Sequence, residues 1–186
     1  MSEHVAIVAG AGGELGRATA EKLAAAGFTM VGVDRSEEGL KELEDGIRRQ
    51  AATPEDLRLM IDVNVGPALW LTQAVVPYLR DGGSGSVVHV AARLGLEPAA
   101  GMAAYAVSKA ALVHLTGVLD LELRPLGIRV NAVAPQQLDT AKTHPYLTPE
   151  VLAHAVTPEA VADIIVYLVS EAAAPVSGAI VPAYGA

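Results

Sequence analysis

A glycine-rich turn lies between a buried strand and a helix at the start of the chain. Residues 5–9 are apolar without alternation, which is typical of a strand covered on both faces. Glycines follow at 10, 12, 13 and 16, and apolar residues then recur at helical spacing as far as Gly27. Glycine lets a backbone approach a ligand closely, and the first turn of a helix offers unpaired N–H groups to a phosphate. The turn therefore predicts a pyrophosphate site, with a tight connection that binds nothing as the alternative.

Strands and helices alternate along the rest of the chain. The apolar pattern predicts further strands at 29–33, 86–91, 128–133 and 179–182. It predicts helices at 37–43, 53–79, 105–124 and 157–169. Thr53 and Asp56 form a capping-box-like pattern at the start of the second helix, and Pro67 interrupts it. Such alternation is typical of an α/β fold with a doubly wound, mostly parallel sheet. We expect one domain over residues 1–186.

Composition excludes several classes of protein. Of 186 residues 52% are hydrophobic but only 4% are aromatic, so the core must consist of Ala, Val, Leu and Ile. Cysteine is absent, which excludes disulfides and thiolate metal sites, and we predict no metal. A net charge of −8 argues against a nucleic-acid partner. No basic segment precedes an apolar run, and the stretch 63–79 is too short and broken for a membrane span, so we expect a cytoplasmic protein.

An acidic residue ends the second predicted strand. Asp34 follows the glycine turn by about 20 residues, where a carboxylate can accept hydrogen bonds from an adenosine ribose. It would repel a 2′-phosphate, so NAD is favoured over NADP, although Arg17 and Arg35 weaken that preference. The alternative is that Asp34 caps the following helix.

Tyr105 and Lys109 are four residues apart on a predicted helix and so share one of its faces. An ammonium beside a phenol favours the phenolate and lowers the pKa of the phenol. Such a pair can pass a proton to or from a carbinol oxygen while hydride moves to or from a nicotinamide. The alternative is a solvated pair on a helix surface.

Four segments resemble, in order and spacing, the motifs of the short-chain dehydrogenases/reductases. VAGAGGELGR (8–17) is similar to the family's glycine segment, and DVNV (62–65) to the helix that carries its active-site Asn. YAVSKAA (105–111) resembles the catalytic segment. RVNAVAP (129–135), with Leu138 and Thr140, resembles the segment that contacts the nicotinamide carboxamide. The resemblance extends over nearly the whole chain.

This resemblance implies a Rossmann-type fold and hydride transfer between NAD(H) and a small carbonyl compound or secondary alcohol. It makes Tyr105 the general acid–base, while Lys109 lowers its pKa and holds the nicotinamide ribose. Asn64 supports a water that relays protons to Lys109. The cofactor residues that it implies are Gly10, Gly12, Gly13, Leu15, Gly16, Asp34, Arg35, Tyr105, Lys109, Pro135, Leu138 and Thr140. It also implies a homodimer or homotetramer formed through the apolar helices 53–79 and 105–124.

The chain departs from the family pattern at single residues. Ala92 stands where the family has a catalytic Ser, and no Ser or Thr occurs from 87 to 104. Glu14 replaces a glycine of the first motif, and Gln136 replaces the glycine after Pro135. Arg93 could polarise a carbonyl or could simply be solvated. A non-catalytic dinucleotide-binding or scaffold protein is therefore the alternative function.

A connection is also shorter than in the family. Asp34 and Asn64 are 30 residues apart, fewer than half the number that the family has there. We therefore expect a sheet that lacks the segment for strands 3 and 4, with 47–50 as the stub of the third strand. Loss of strand 4 would separate its neighbours by about 9–10 Å. The sheet could close up, a partner chain could fill the gap, or the given chain could omit residues.

Overall fold

The computed structural model describes residues 5–9, 20–21, 24–25, 29–33, 52–140 and 143–185, and these fall in two compact units, Met1–Asp56 and Leu57–Ala186. In the first unit, β1 (Val5–Ala9) pairs in parallel with β2 (Thr29–Val33). Residues 20–21 and 24–25, between the two strands, are helical. Parallel strands joined through a helix are the predicted unit.

The second unit contains a three-stranded parallel sheet in the order β3-β4-β5. These strands are β3 (Gly85–Val90), β4 (Ile128–Pro135) and β5 (Ile180–Ala183). The helices are α1 (Pro54–Asn64), which begins at the end of the first unit, α2 (Gly66–Asp81), α3 (Ala103–Leu123), α4 (Pro149–Leu152) and α5 (Pro158–Val169). Each predicted strand of this unit is present within two residues of its expected limits, which confirms the α/β, doubly wound, parallel fold.

The central strand β4 separates two layers of helices. Ile128 and Val130 pack against Leu119 and Leu123 of α3, together with apolar residues of α2. Val133 faces the other way and packs against Val161 of α5. Successive side chains of a strand point to opposite faces, so one strand, buried except at Arg129, supplies the core of both layers.

The predicted long helix is two helices in the structure. Thr53 and Asp56 form the predicted capping box, in which the Asp56 N–H donates to Thr53 Oγ1 at 3.1 Å and the Thr53 N–H donates to Asp56 Oδ2 at 2.9 Å. The break falls at Val65, between α1 and α2, because Pro67 has no N–H to continue the hydrogen-bond ladder. By length and composition alone the 28-residue stretch Pro54–Asp81 could cross a membrane, since an 18-residue window within it has a mean hydropathy of 1.3. One face of α2 nevertheless packs against the sheet.

A buried histidine joins the two helices of one layer to the sheet. His89 on β3 is 7% exposed, with Nδ1 at 3.0 Å from Thr116 Oγ1 and Nε2 at 3.2 Å from Thr72 Oγ1. The Thr116 hydroxyl donates its proton to the Leu112 carbonyl at 2.8 Å. Thr116 must therefore accept from Nδ1–H, so the neutral ring accepts the Thr72 hydroxyl at Nε2. Burial lowers the pKa of His89, because the charged ring would lose its hydration.

We expect the free energy of unfolding to fall as the solution is acidified. The unfolded chain binds a proton at His89 near the ordinary pKa of 6.5, whereas the folded chain resists it. The stabilisation is therefore complete above pH 6.5 and is lost as the pH falls through the lower pKa of the folded state. His89→Asn, which cannot titrate, should show a smaller loss of Tm between about pH 7.5 and 5. His114→Asn, an exposed position on α3, is the control, and parallel curves for wild type and His89→Asn would contradict the account.

Candidate active site

The predicted catalytic residues lie in the second unit, around the edge of the sheet where its parallel strands end. Tyr105 and Lys109 are on the first two turns of α3, and Asn64 is the last residue of α1. β3 ends at Val90 and β4 at Pro135. In an open parallel sheet this edge is where ligands bind.

Tyr105 and Lys109 lie on one face of α3. The Lys109 ammonium is 5.8 Å from the centre of the Tyr105 ring, and Lys109 Nζ donates a hydrogen bond to the Val90 carbonyl at 3.1 Å. The carbonyl at the end of β3 thus holds the lysine side chain beside the tyrosine. Nζ makes no other hydrogen bond with the described residues. Because an ammonium has three N–H groups, two remain for other acceptors.

Burial controls the pKa values of both groups. It raises the pKa of Tyr105, because the phenolate would be poorly solvated, and it lowers the pKa of Lys109 for the corresponding reason. The sequence predicted the opposite direction for Tyr105, and that prediction is wrong for this structure. The ammonium is bonded to a backbone carbonyl, and desolvation of the phenol is the larger effect.

A serine to which the sequence assigned no role connects Asn64 to the turn of α3 that carries Tyr105 and Lys109, named here the catalytic turn. Asn64 Nδ2 donates to Ser108 Oγ at 3.0 Å, and Ser108 Oγ donates to the Tyr105 carbonyl at 2.8 Å. Ser108 has no exposed surface. Its place between Tyr105 and Lys109 in the sequence was the available signal, but a contact with a residue 44 positions earlier has no sequence signature.

The loop after β3 packs on the same turn of α3. Ala92 is buried and precedes a 3-10 turn, Arg93–Gly95. A Cβ atom at Gly95 would lie 2.8 Å from the backbone C and O atoms of Lys109, so only glycine allows this approach. Arg93 is bound rather than free, because its Nε donates to Glu97 at 2.8 Å and its guanidinium lies 5.1 Å from the centre of the Tyr184 ring.

The predicted nicotinamide-contact residues continue from the end of β4. The Gln136 N–H, after Pro135, donates to the Ala183 carbonyl at 3.1 Å, and Leu138 forms a parallel bridge with Val156. The Thr140 hydroxyl is 2.9 Å from that of Thr143. The segment from Pro135 to Thr140 is therefore fixed at the edge of the sheet that also carries Val90 and Ala92.

The remaining predicted cofactor residues lie outside the described residues. They are Gly10, Gly12, Gly13, Leu15, Gly16, Asp34 and Arg35. The pyrophosphate turn, the ribose carboxylate and the shortened connection after Asp34 therefore stay predictions. In the part of the chain that is described, no group of three or more His, Asp or Glu side chains could hold a metal ion.

Comparison with known proteins identifies the family. The family model for short chain dehydrogenases matches residues 46–150, which is more than half of the chain and includes Asn64, Ala92, Tyr105 and Lys109. The chain belongs to the short-chain dehydrogenase family. The predicted family resemblance is thereby confirmed.

Relatives of this short-chain dehydrogenase include two bacterial oxidoreductases. An uncharacterised oxidoreductase of Staphylococcus epidermidis is 28% identical over 187 residues, which cover 77% of this chain and 81% of the relative. An uncharacterised NAD-dependent oxidoreductase of Mycobacterium tuberculosis is 32% identical over 148 residues, covering 70% of this chain and 54% of the relative. Among solved structures, a 7α-hydroxysteroid dehydrogenase complexed with NADH and 7-oxo glycochenodeoxycholic acid aligns with a TM-score of 0.68 and 25% identity over 98% of this chain and 93% of that one.

Proposed function

We propose that this short-chain dehydrogenase interconverts a small carbonyl compound and the corresponding secondary alcohol, with NAD(H) as the hydride carrier. The observation that carries the proposal is the Tyr105–Lys109 pair, half-buried on one face of α3 at the carboxyl edge of the sheet. Relatives named as oxidoreductases support the reaction class, and one of them is named as NAD-dependent.

Each side chain has a distinct task. Tyr105 donates a proton to the carbonyl oxygen in reduction and takes it back in oxidation. Lys109 stands beside the phenol on its Val90 anchor, with N–H groups left to hold a ribose hydroxyl and the phenolic oxygen. Asn64 keeps the proton-relay role that the family resemblance implies, beside the carbonyl of Val63 that Pro67 cannot engage. When bound, the nicotinamide supplies or accepts the hydride.

The chain's own residues are compatible with that cofactor. Pro135, Leu138 and Thr140 form a fixed segment at the same edge as Lys109. The glycine turn (10–16) is proposed to bind the pyrophosphate, and Asp34 the adenosine ribose, which would favour NAD over NADP. Arg35 is proposed to line the same end of the cofactor.

Ala92 is proposed to limit the rate. A hydroxyl at this position would hydrogen-bond the substrate oxygen as negative charge develops on it, and one such donor contributes about 10²–10³ in rate. Because Ala92 is buried and in extended backbone conformation, a serine there adds one oxygen to an ordered site. We expect Ala92→Ser to raise kcat by at least about tenfold. Ala91→Ser, on the opposite face of the chain, is the control, and an unchanged kcat for Ala92→Ser would show that another step limits turnover.

The same alanine favours a second candidate function. A chain without the family's serine could bind NAD without turning over a substrate. In that case NAD would raise the Tm, no alcohol or ketone would react, and Tyr105→Phe would change nothing. The proposed enzyme differs from this in showing a turnover that depends on Tyr105.

We also propose that the protein is a homodimer or homotetramer. Large apolar side chains of α1 and α2 lie more than half exposed, namely Leu59, Val63, Trp70, Leu71 and Tyr78. So much apolar surface is typical of an interface. The helices are those that the family resemblance assigned to self-association. The absence of cysteine and the acidic net charge are compatible with a cytoplasmic location, which we propose as well.

A single charge should break this association. Leu71 is 67% exposed on α2, so Leu71→Glu leaves the monomer folded but places a carboxylate in the interface. We expect sedimentation velocity to show a shift to monomer at concentrations where the wild type is oligomeric. Gln73→Glu adds the same charge at another exposed position of α2 and is the control. A monomeric wild type would contradict the proposal.

A further inference from the structure

We propose that Ser108 is a positioning residue, which fixes the turn of α3 bearing Tyr105 and Lys109 against the end of α1. The inference rests on the proposed function, because it concerns the placement of the proposed acid–base pair. Ser108 touches neither substrate nor cofactor in this account and acts through Tyr105.

The hydrogen bonds of Ser108 have one possible direction. Its hydroxyl has a single proton, which is directed to the Tyr105 carbonyl at 2.8 Å. The oxygen must then accept from Asn64 Nδ2, at 3.0 Å, and an amide nitrogen can only donate. The Ser108 hydroxyl therefore donates to Tyr105 and accepts from Asn64, which fixes the nitrogen end of the Asn64 amide against it.

The position of Ser108 allows these two hydrogen bonds to hold the catalytic turn in place. The residue has no exposed surface and sits one place before Lys109, on the side of the turn that faces the domain interior. Asn64 is the last residue of α1, next to the break at Val65. A bond from this point to α3 ties the break between α1 and α2 to the catalytic turn.

Two other contacts hold the same turn from the sheet side. Lys109 Nζ is bonded to the Val90 carbonyl at 3.1 Å, and Gly95 lies against the Lys109 backbone. Because Ala92 offers no hydroxyl, nothing on the loop after β3 can orient the phenol by a hydrogen bond at that position. Ser108 and Asn64 thus supply a polar anchor of this turn from the end of α1, in addition to the contacts with β3 and the loop after it.

The test compares two buried hydroxyls of the same helix. Ser108→Ala removes the anchor, and Thr116→Val is the matched control, because Thr116 is equally buried and also donates to a carbonyl of α3, that of Leu112 at 2.8 Å. Both variants should lose similar stability. Displacement of the phenol by a fraction of an ångström should lower kcat about tenfold to a hundredfold in Ser108→Ala only, with the KM for NAD within about twofold of wild type.

A second readout does not need turnover. The ultraviolet titration of Tyr105 is obtained as the difference between each protein and its Tyr105→Phe form. Burial raises the pKa of this phenol, so a loosened turn should hydrate it and move its pKa down towards the ordinary value. We expect that shift in Ser108→Ala and none in Thr116→Val.

A double variant separates positioning from general destabilisation. Asn64→Leu is similar in shape and removes the donor to Ser108 without adding a charge that would itself raise the pKa of Tyr105. The combined Asn64→Leu/Ser108→Ala variant should shift the Tyr105 titration no further than Ser108→Ala alone. The inference would be overturned if the double variant shifted the pKa of Tyr105 further than Ser108→Ala does. It would also be overturned if Ser108→Ala left the pKa of Tyr105 unchanged. A wild type without turnover would refute the proposed function, and the titration would still decide the role of Ser108.

Discussion

Tyr105→Phe is expected to remove essentially all turnover while leaving the folded protein and its NAD binding intact. The substitution keeps the ring beside Lys109 and deletes only the hydroxyl that exchanges the proton. General acid–base catalysis contributes about 10²–10⁴ in rate, and here no neighbouring hydroxyl from 87 to 104 can replace the lost group. The loss should appear in kcat, since the deleted hydroxyl is the group that exchanges the proton.

The measurement pairs NADH absorbance with thermal shift. NAD should raise the Tm of wild type and Tyr105→Phe equally, and by more than NADP at the same concentration, as the carboxylate of Asp34 predicts. Tyr78→Phe removes the hydroxyl of a tyrosine that is 79% exposed on α2, and it should keep the wild-type rate. A Tyr105→Phe protein that retains its rate would assign the acid–base role elsewhere.

Gly95→Ala is expected to damage both stability and activity. The new Cβ would be 2.8 Å from backbone atoms of Lys109, and backbone cannot move aside as a side chain can. Overpacking of this kind costs about 1–3 kcal/mol, and each kcal/mol lowers the Tm by roughly 2–4 °C in a chain of this size. Because the displaced backbone belongs to Lys109, the distance between the ammonium and the phenol must change as well.

The same substitution at a glycine of α3 provides the control. Gly117 is in the interior of the helix and a Cβ there meets nothing within 4 Å. Gly117→Ala should therefore be neutral or stabilise by up to about 1 kcal/mol, with normal kcat. Equal Tm values for the two alanine variants would mean that the loop after β3 does not pack tightly on the catalytic turn.

The fold was predictable because burial leaves a periodic record in the sequence. The run from Ile128 to Pro135 is apolar apart from Arg129 and Asn131, and the structure places it as the central strand with helices on either side. Local chemistry also predicted the Thr53 cap and the interruption caused by Pro67, although the break falls two residues earlier, at Val65. Spacing along a helix sufficed to put Tyr105 and Lys109 on one face.

Features that depend on distant residues were not predictable. The contacts of Ser108 with Asn64 and of His89 with Thr116 join residues 44 and 27 positions apart, and polar residues that meet in a core carry no periodic pattern. The predicted direction of the Tyr105 pKa shift was wrong for the same reason. The shift depends on the burial of the phenol and on the Val90 carbonyl that accepts a hydrogen bond from Lys109. The contact of Arg93 with Tyr184 likewise joins residues that are distant in the sequence and that only the fold brings together.

The central claim is that this short-chain dehydrogenase transfers hydride between NAD(H) and a carbonyl compound. Its most direct test is the absorbance of NADH during incubation of the wild-type protein with a panel of small ketones, and of NAD with the corresponding alcohols. We expect at least one compound of the panel to cause a change in NADH absorbance. The rate of that change should be proportional to the enzyme concentration, and the change should be absent with Tyr105→Phe. NAD binding without any change in absorbance across the panel would contradict it and would favour the non-catalytic dinucleotide-binding protein.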